Sequence, residues 1–99
     1  MKIKNFVHMI KHIYIKIYGF VQGVSFRYST KVQAEKLGIN GWIENLPNGS
    51  VYIEVEGEEE KLKKFLGWCR RGPVLARVEK IDFDFDSDLR HFQKFIIKK

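Results

Sequence analysis

Two glycines, a glutamine and an arginine stand together in Gly19-Phe20-Val21-Gln22-Gly23-Val24-Ser25-Phe26-Arg27. The stretch follows an alternating pattern, Ile13-Tyr14-Ile15-Lys16-Ile17-Tyr18, and runs into a helical pattern that begins near Ser25. Glycine lets a backbone bend and approach a ligand closely. The first turn of a helix leaves N–H groups unpaired, and its dipole favours negative charge. An oxyanion suits such a place. Arg27 adds a planar fork of donors that matches phosphate oxygens. The chemistry on offer is phosphate binding, although the spacing fits neither the GxGxxG pattern nor a Walker loop. A plain strand-to-helix connection with a solvated arginine satisfies the same spacing.

The elements around this loop decide what can join it. Strand alternation over about 12–18 puts Ile13, Ile15 and Ile17 on one face, with Tyr14, Lys16 and Tyr18 on the other. A helix then carries Phe26, Thr30, Ala34 and Leu37 as its core stripe and stops at Gly38. A second strand covers about 40–46, and Pro47-Asn48-Gly49 is a hairpin turn. The third strand, about 50–56, sets Val51, Ile53 and Val55 against Tyr52, Glu54 and Glu56, and Gly57 ends it. A second helix buries Leu62, Phe65, Leu66 and Cys69. Glu58-Glu59-Glu60 and Arg70-Arg71 complement its dipole, and Gly72-Pro73 stops it. The fourth strand, about 77–86, alternates Ile81, Phe83 and Phe85 with Asp82, Asp84 and Asp86. Alternation assigns those aspartates to a wet sheet face rather than to a metal. Ser87 to His91 is a loop, and a short closing strand holds Phe92 and Phe95-Ile96-Ile97.

This order, βαββαβ plus a short terminal strand, predicts an α+β chain of the ferredoxin-like split β-α-β type. The third strand lies between the first and second of a mainly antiparallel sheet, and both helices cover one face. The tyrosine face is expected to stay open to water. Strands one and two run parallel, so their C-terminal ends share one rim of the sheet. The glycine loop leaves from that rim, and Asn45 ends strand two there. Counting from Gly41 and Ile43, Asn45 points to the helix-covered side. The two backbones lie about 10 Å apart, with one strand between them. That gap accommodates a phosphoryl group and a water. Capping of the Pro47-Asn48-Gly49 turn is the other reading of Asn45.

Composition sets the outer limits. Ninety-nine residues, 44% hydrophobic and 14% aromatic, make one globular domain. No apolar run approaches the roughly 20 residues of a membrane span, and no secretory leader is visible. Cys69 is the lone cysteine, so no internal disulfide forms and a reducing cytoplasm is the expected compartment. The net charge of +6 favours anionic partners. His8 and His12 have no metal-ligand spacing and read as structural or solvated. Ile3, Phe6, Val7 and Ile10 fall at helical spacing, compatible with a short N-terminal helix or with a tail. The expected organisation is an extension over 1–11 and one domain over 12–99.

The glycine loop with Arg27, followed by Gly41-Trp42-Ile43-Glu44-Asn45 and Asn48-Gly49-Ser50-Val51, resembles the acylphosphatase family. Glu54-Val55-Glu56-Gly57, Gly72-Pro73 and Phe95-Ile96-Ile97 extend the resemblance from about Tyr14 to the end. The resemblance implies hydrolysis of acyl phosphates to a carboxylate and inorganic phosphate, without metal or cofactor. It gives Arg27 and the cradle formed by Gly19, Phe20, Val21, Gln22, Gly23, Val24, Ser25 and Phe26 the phosphate. Asn45 receives the attacking water. The expected partners are small acyl phosphates and inorganic phosphate, with no nucleic acid or membrane, and a small soluble monomer is the default state.

A different class of function uses the same topology. RNA-recognition modules stack bases on aromatics of the central strands, and Tyr14, Tyr18 and Tyr52 share the open face here. Strand three lacks the Lys/Arg-Gly-aromatic run of those modules, and Glu54, Glu56, Asp82, Asp84 and Asp86 would repel phosphates there.

Overall fold

Isoleucine and valine at every second position pull one side of each strand out of water, and the computed structural model forms its sheet on that pattern. It describes residues 9–99. The elements are β1 (Ile10–Phe20), α1 (Phe26–Leu37), β2 (Asn40–Asn45), β3 (Val51–Glu58), α2 (Glu59–Arg71), β4 (Arg77–Asp86) and β5 (Phe95–Ile97). The strand order is β4-β1-β3-β2-β5. β1 is antiparallel to both β3 and β4, and β2 is antiparallel to β3. β5 runs parallel to β2 at the far edge. The expected ferredoxin-like arrangement is present, with β3 between β1 and β2.

Register follows the apolar face. Phe83, Ile15, Ile53, Ile43 and Ile97 stand in one row across all five strands. Ile15, Ile53 and Ile43 are wholly buried, each contributing about 1.5–3 kcal/mol. A slip of one residue would turn the whole row to solvent. Phe26, Thr30 and Ala34 of α1 and Leu62, Phe65, Leu66 and Cys69 of α2 pack on this face. Thr30 belongs there because its hydroxyl donates to Phe26 O at 2.8 Å. Leu37 packs at the margin of the core, partly buried. Burial pushes the Cys69 thiol well up, so it is not a thiolate at neutral pH.

Several boundaries differ from the sequence expectation. β1 is longer at both ends, because β3 offers partners as far as Glu58 and β4 as far as Arg77. Ile10 is therefore in a strand, whereas Ile3, Phe6, Val7 and His8 lie outside the described residues. β3 does not end at Gly57, which pairs with Lys11 and lies close under Ile39. β2 stops at Asn45, and Phe92 stays in the loop before β5. Phe83 and Phe85 are on the helix side of β4 but remain 41% and 47% exposed, because β4 is a sheet edge. Arg70 and Lys11 lie over those rings at 5.9 and 5.8 Å.

The opposite face is only partly open. Tyr14 and Tyr52 stack with centroids 6.4 Å apart, and Trp42 lies 5.4 Å from Tyr52. The Tyr14 hydroxyl donates to Asp86 at 2.7 Å, and Arg90 reaches both groups. One end is roofed by the loop before β5, so His12 is fully buried and structural. Its Nδ1 donates to Glu56 Oε2 at 2.7 Å, while Nε2 lies 3.0 Å from Glu54 Oε1. Glu56 holds that loop by accepting backbone N–H groups from Arg90, from His91 at 2.8 Å and from Phe92 at 3.3 Å. Burial alone would raise the Glu56 pKa. The donated N–H groups and His12 outweigh it and hold the carboxyl below its ordinary 4.5.

A depressed carboxylate pKa stabilises the fold above the unfolded-state value and loses that contribution as pH falls through the folded one. Glu56→Gln is expected to lower stability at pH 7 by about 1–3 kcal/mol. The deficit should shrink as pH drops below the ordinary 4.5. Thermal unfolding of both proteins followed by circular dichroism from neutral to acid pH measures this; a deficit constant across the range would contradict it.

Candidate active site

The loop that leaves β1 is shaped first by Gly19. Pairing between β1 and β4 shifts register between Tyr18 and Gly19. At Gly19, φ is 131°, and a Cβ would stand 2.1 Å from Arg77 O. A side chain cannot fit there, so glycine lets β4 close in while the chain turns toward the helices. Further on, Gly23 and Ser25 are both left-handed, at φ 77° and 63°. For Ser25 that conformation costs about 1–2 kcal/mol, which the surrounding packing of Val21, Val24 and Phe26 in the core sustains. Alternation of this kind curls successive N–H groups toward one side and makes an anion-binding concavity.

The two helix starts differ in a telling way. α2 opens with Glu59 and Glu60 against the positive end of its dipole. α1 has no acidic residue in its first turn and no side-chain cap on its N–H groups. A free, positively polarised helix start beside a curled loop is suited to an external anion. Arg27 stands in that first turn, and its Nη1 donates to Lys98 O at 3.1 Å, which holds the guanidinium over the end of β5.

Asn45 completes the arrangement from the other strand. A cavity of about 220 Å³ is lined by Val21, Gly23, Ser25, Phe26, Arg27, Tyr28, Asn45 and Ile97. Asn45 Oδ1 is buried and has no hydrogen-bond partner among the described residues. An unpaired buried carbonyl costs about 1–3 kcal/mol, so this oxygen keeps an unused accepting capacity in a residue that lines the cavity. Turn capping does not explain it. Asn48 does that work, its Oδ1 accepting the Ser50 N–H at 3.0 Å and the Ser50 hydroxyl at 2.5 Å. A larger cavity, about 520 Å³, lies elsewhere, among Leu37, Asn40, Glu56, Lys61, His91 and Gln93. Size favours it, but chemistry does not: Glu56 there is already saturated by His12 and backbone donors.

The expected site residues therefore divide. Val21, Gly23, Ser25, Phe26, Arg27 and Asn45 face one cavity. Gly19 lies in the bulge, Phe20 is 60% exposed at the strand end, and Val24 packs into the core. The Gln22 side chain is directed to the β2–β3 turn instead. Tyr28 and Ile97 line the cavity without having been singled out from the sequence. Tyr28 follows Arg27 in the same helical turn, and Ile97 arrives through the parallel pairing of β5 with β2. Among the described residues no three His, Cys, Asp or Glu groups converge in a way suited to a metal ion. Asp86 is occupied by Tyr14 and Arg90, and Asp82 pairs with Lys80.

Fold and site together define a ferredoxin-like domain with an uncapped helix start, an arginine and an asparagine on one cavity at a sheet rim. The sequence pattern of the acylphosphatase family matches residues 13–97. The acylphosphatase of Thermococcus kodakarensis is 44% identical over 74 residues, which are 75% of this chain and 81% of that protein. That of Methylococcus capsulatus is 45% identical over 88 residues, 89% of this chain and 96% of its own length. The crystal structure of acylphosphatase from Bacillus subtilis superimposes with a TM-score of 0.88 at 32% identity, covering 92% of this chain and all of that one. The chain belongs to the acylphosphatase family, enzymes that hydrolyse acyl phosphates.

Proposed function

We propose that this acylphosphatase divides its work between a cradle that binds the phosphoryl group and one amide that places the water. The cradle consists of loop N–H groups at residues 19–26, the start of α1 and Arg27. Asn45 is the water holder. The observation that carries this reading is that Asn45, whose buried Oδ1 has no partner among the described residues, lines the same cavity as Arg27.

The chemistry needs little more. An acyl phosphate is a mixed anhydride, and its leaving group is a carboxylate. With a conjugate-acid pKa of about 4–5 it departs without being protonated, so no general acid is required. Phosphoryl transfer is governed by positioning and by stabilisation of charge on the equatorial oxygens. Loop donors and the Arg27 fork supply that charge stabilisation. Asn45 Oδ1 accepts a hydrogen bond from the water and aims its lone pair in line with the departing carboxylate. A phosphate oxygen of the substrate takes the proton that the water loses. The same cationic cradle makes a metal ion unnecessary in this scheme.

The remaining expectations fit this picture. We infer a cytoplasmic monomer with residues 12–99 as the catalytic unit and 1–11 as an extension whose last two residues prolong β1. No described helix is long and apolar enough to cross a membrane. The edge strand β4 carries Asp82, Asp84 and Lys80, charges that discourage edge-to-edge pairing. Glu54 and Asp86 set carboxylates against Tyr52 and Tyr14 on the far face, negative charge that disfavours a nucleic-acid backbone there.

Hydrolysis of benzoyl phosphate tests the assignments. Arg27→Ala is expected to lower kcat/KM by about 10³-fold or more and to weaken inhibition by inorganic phosphate. Arg27→Lys should recover little, because a point charge cannot replace a bidentate fork. Wild-type rates in Arg27→Ala would overturn its role. Asn45→Ala should lower kcat by about 10²-fold while phosphate inhibition stays close to wild type; equal losses in both would make Asn45 a binding group instead. Activity should be the same with and without EDTA, and loss on chelation would show that a metal takes part.

A further inference from the structure

The ladder between β1 and β3 ends at Ile17 and Val51. Beyond that point the chain bulges at Gly19 and rises into the loop. Among the described residues no backbone hydrogen bond joins residues 21–25 to residues 46–50. Core packing of Val21, Val24 and Phe26 anchors the loop, but no backbone ladder sets its distance from the end of β2, where Asn45 stands. One side chain closes the gap. Gln22 Nε2 donates to Leu46 O at 2.8 Å and to Ser50 O at 2.9 Å. Those two carbonyls belong to the same tight turn: Leu46 N–H donates to Ser50 O at 2.9 Å, and Gly49 N–H to Leu46 O at 3.1 Å. Leu46 is the residue directly after Asn45, and Gln22 lies directly between Val21 and Gly23, which line the cavity.

We propose that Gln22 is a positioning residue for the hydrolysis, setting the separation between the phosphoryl cradle and Asn45 Oδ1. The inference rests on the division of labour above. It gives the Gln22 side chain a task distinct from phosphate binding, since both its N–H groups are already engaged by the turn. A primary amide suits that task because it offers two donors from one nitrogen. Glutamate has the same shape but presents oxygen to two carbonyl oxygens, and asparagine is one methylene short. Misplacement of a reacting group by an ångström costs rate on the order of a hundredfold, while a phosphate held mainly by the loop and Arg27 feels the change much less.

A double-mutant cycle in kcat distinguishes this from a role in folding or binding. Gln22→Ala and Gln22→Met would each be made in the wild-type and the Asn45→Ala backgrounds, and assayed with benzoyl phosphate well below their unfolding temperatures. Met preserves chain length and packing should Ala fail to fold. In the wild-type background, loss of the amide should lower kcat by about 30-fold, with inhibition by inorganic phosphate changed by less than about threefold. In the Asn45→Ala background the same replacement should lower kcat by less than about threefold, because the group it positions is gone. Equal kcat losses in both backgrounds, or wild-type kcat in Gln22→Met, would overturn the proposal. An unmutated protein inactive toward benzoyl phosphate would instead refute the functional reading on which it rests.

Discussion

The structure depends on one constraint: the apolar face of the sheet admits a single register. Ile15, Ile53 and Ile43 cannot shift past one another without exposing the row they form. That register fixes where β1 and β2 end. Because β3 lies between them and runs the other way, their C-terminal ends meet at one rim. The site is thus a by-product of burial. Hydrophobic free energy sets the frame, and polar groups at its margin inherit their spacing from it. Only beyond Phe20 does the chain leave every ladder, and there the polar contacts of Gln22 tie the loop to the end of β2.

The margin is where local stability gives way to binding. α2 opens on carboxylates and closes on arginines, as a helix optimised for its own stability does. α1 leaves its start uncapped, places a serine in a left-handed conformation before it, and shares its cavity with Asn45, whose buried amide oxygen is unpaired among the described residues. Each feature is unfavourable in isolation. Under the proposed function they act together, the donors on an anion and the acceptor on a water. The far end of the sheet shows the opposite economy: buried Glu56 is saturated by His12 and three backbone donors.

Much of this was legible in the residues. The face of Asn45 could be counted because alternation runs unbroken from Gly41 through Ile43 to the strand end. The stripes of α2 and of β1 were equally plain, since each position carries a residue type that chooses one side. Legibility failed where position in the sheet overrides residue type. Phe83 and Phe85 alternate like core residues, but on an edge strand there is too little helix above them. The His12–Glu56 clamp joins residues 44 apart and serves a loop further on, so no local pattern announces it. Gln22 in a phosphate-loop sequence reads as a ligand-facing group, and nothing nearby reveals that its partners are carbonyls of the next hairpin. The bulge at Gly19 is hidden for the same reason, because it answers to the backbone of β4.

The central claim is that the loop, Arg27 and Asn45 enclose one oxyanion. A crystal structure of the protein grown with inorganic phosphate tests it most directly. The expected result is a phosphate whose oxygens lie within hydrogen-bonding distance of loop N–H groups and the Arg27 guanidinium, with a water between it and Asn45 Oδ1. A phosphate bound elsewhere, with Arg27 still on the Lys98 carbonyl and Asn45 apart from the anion, would contradict it.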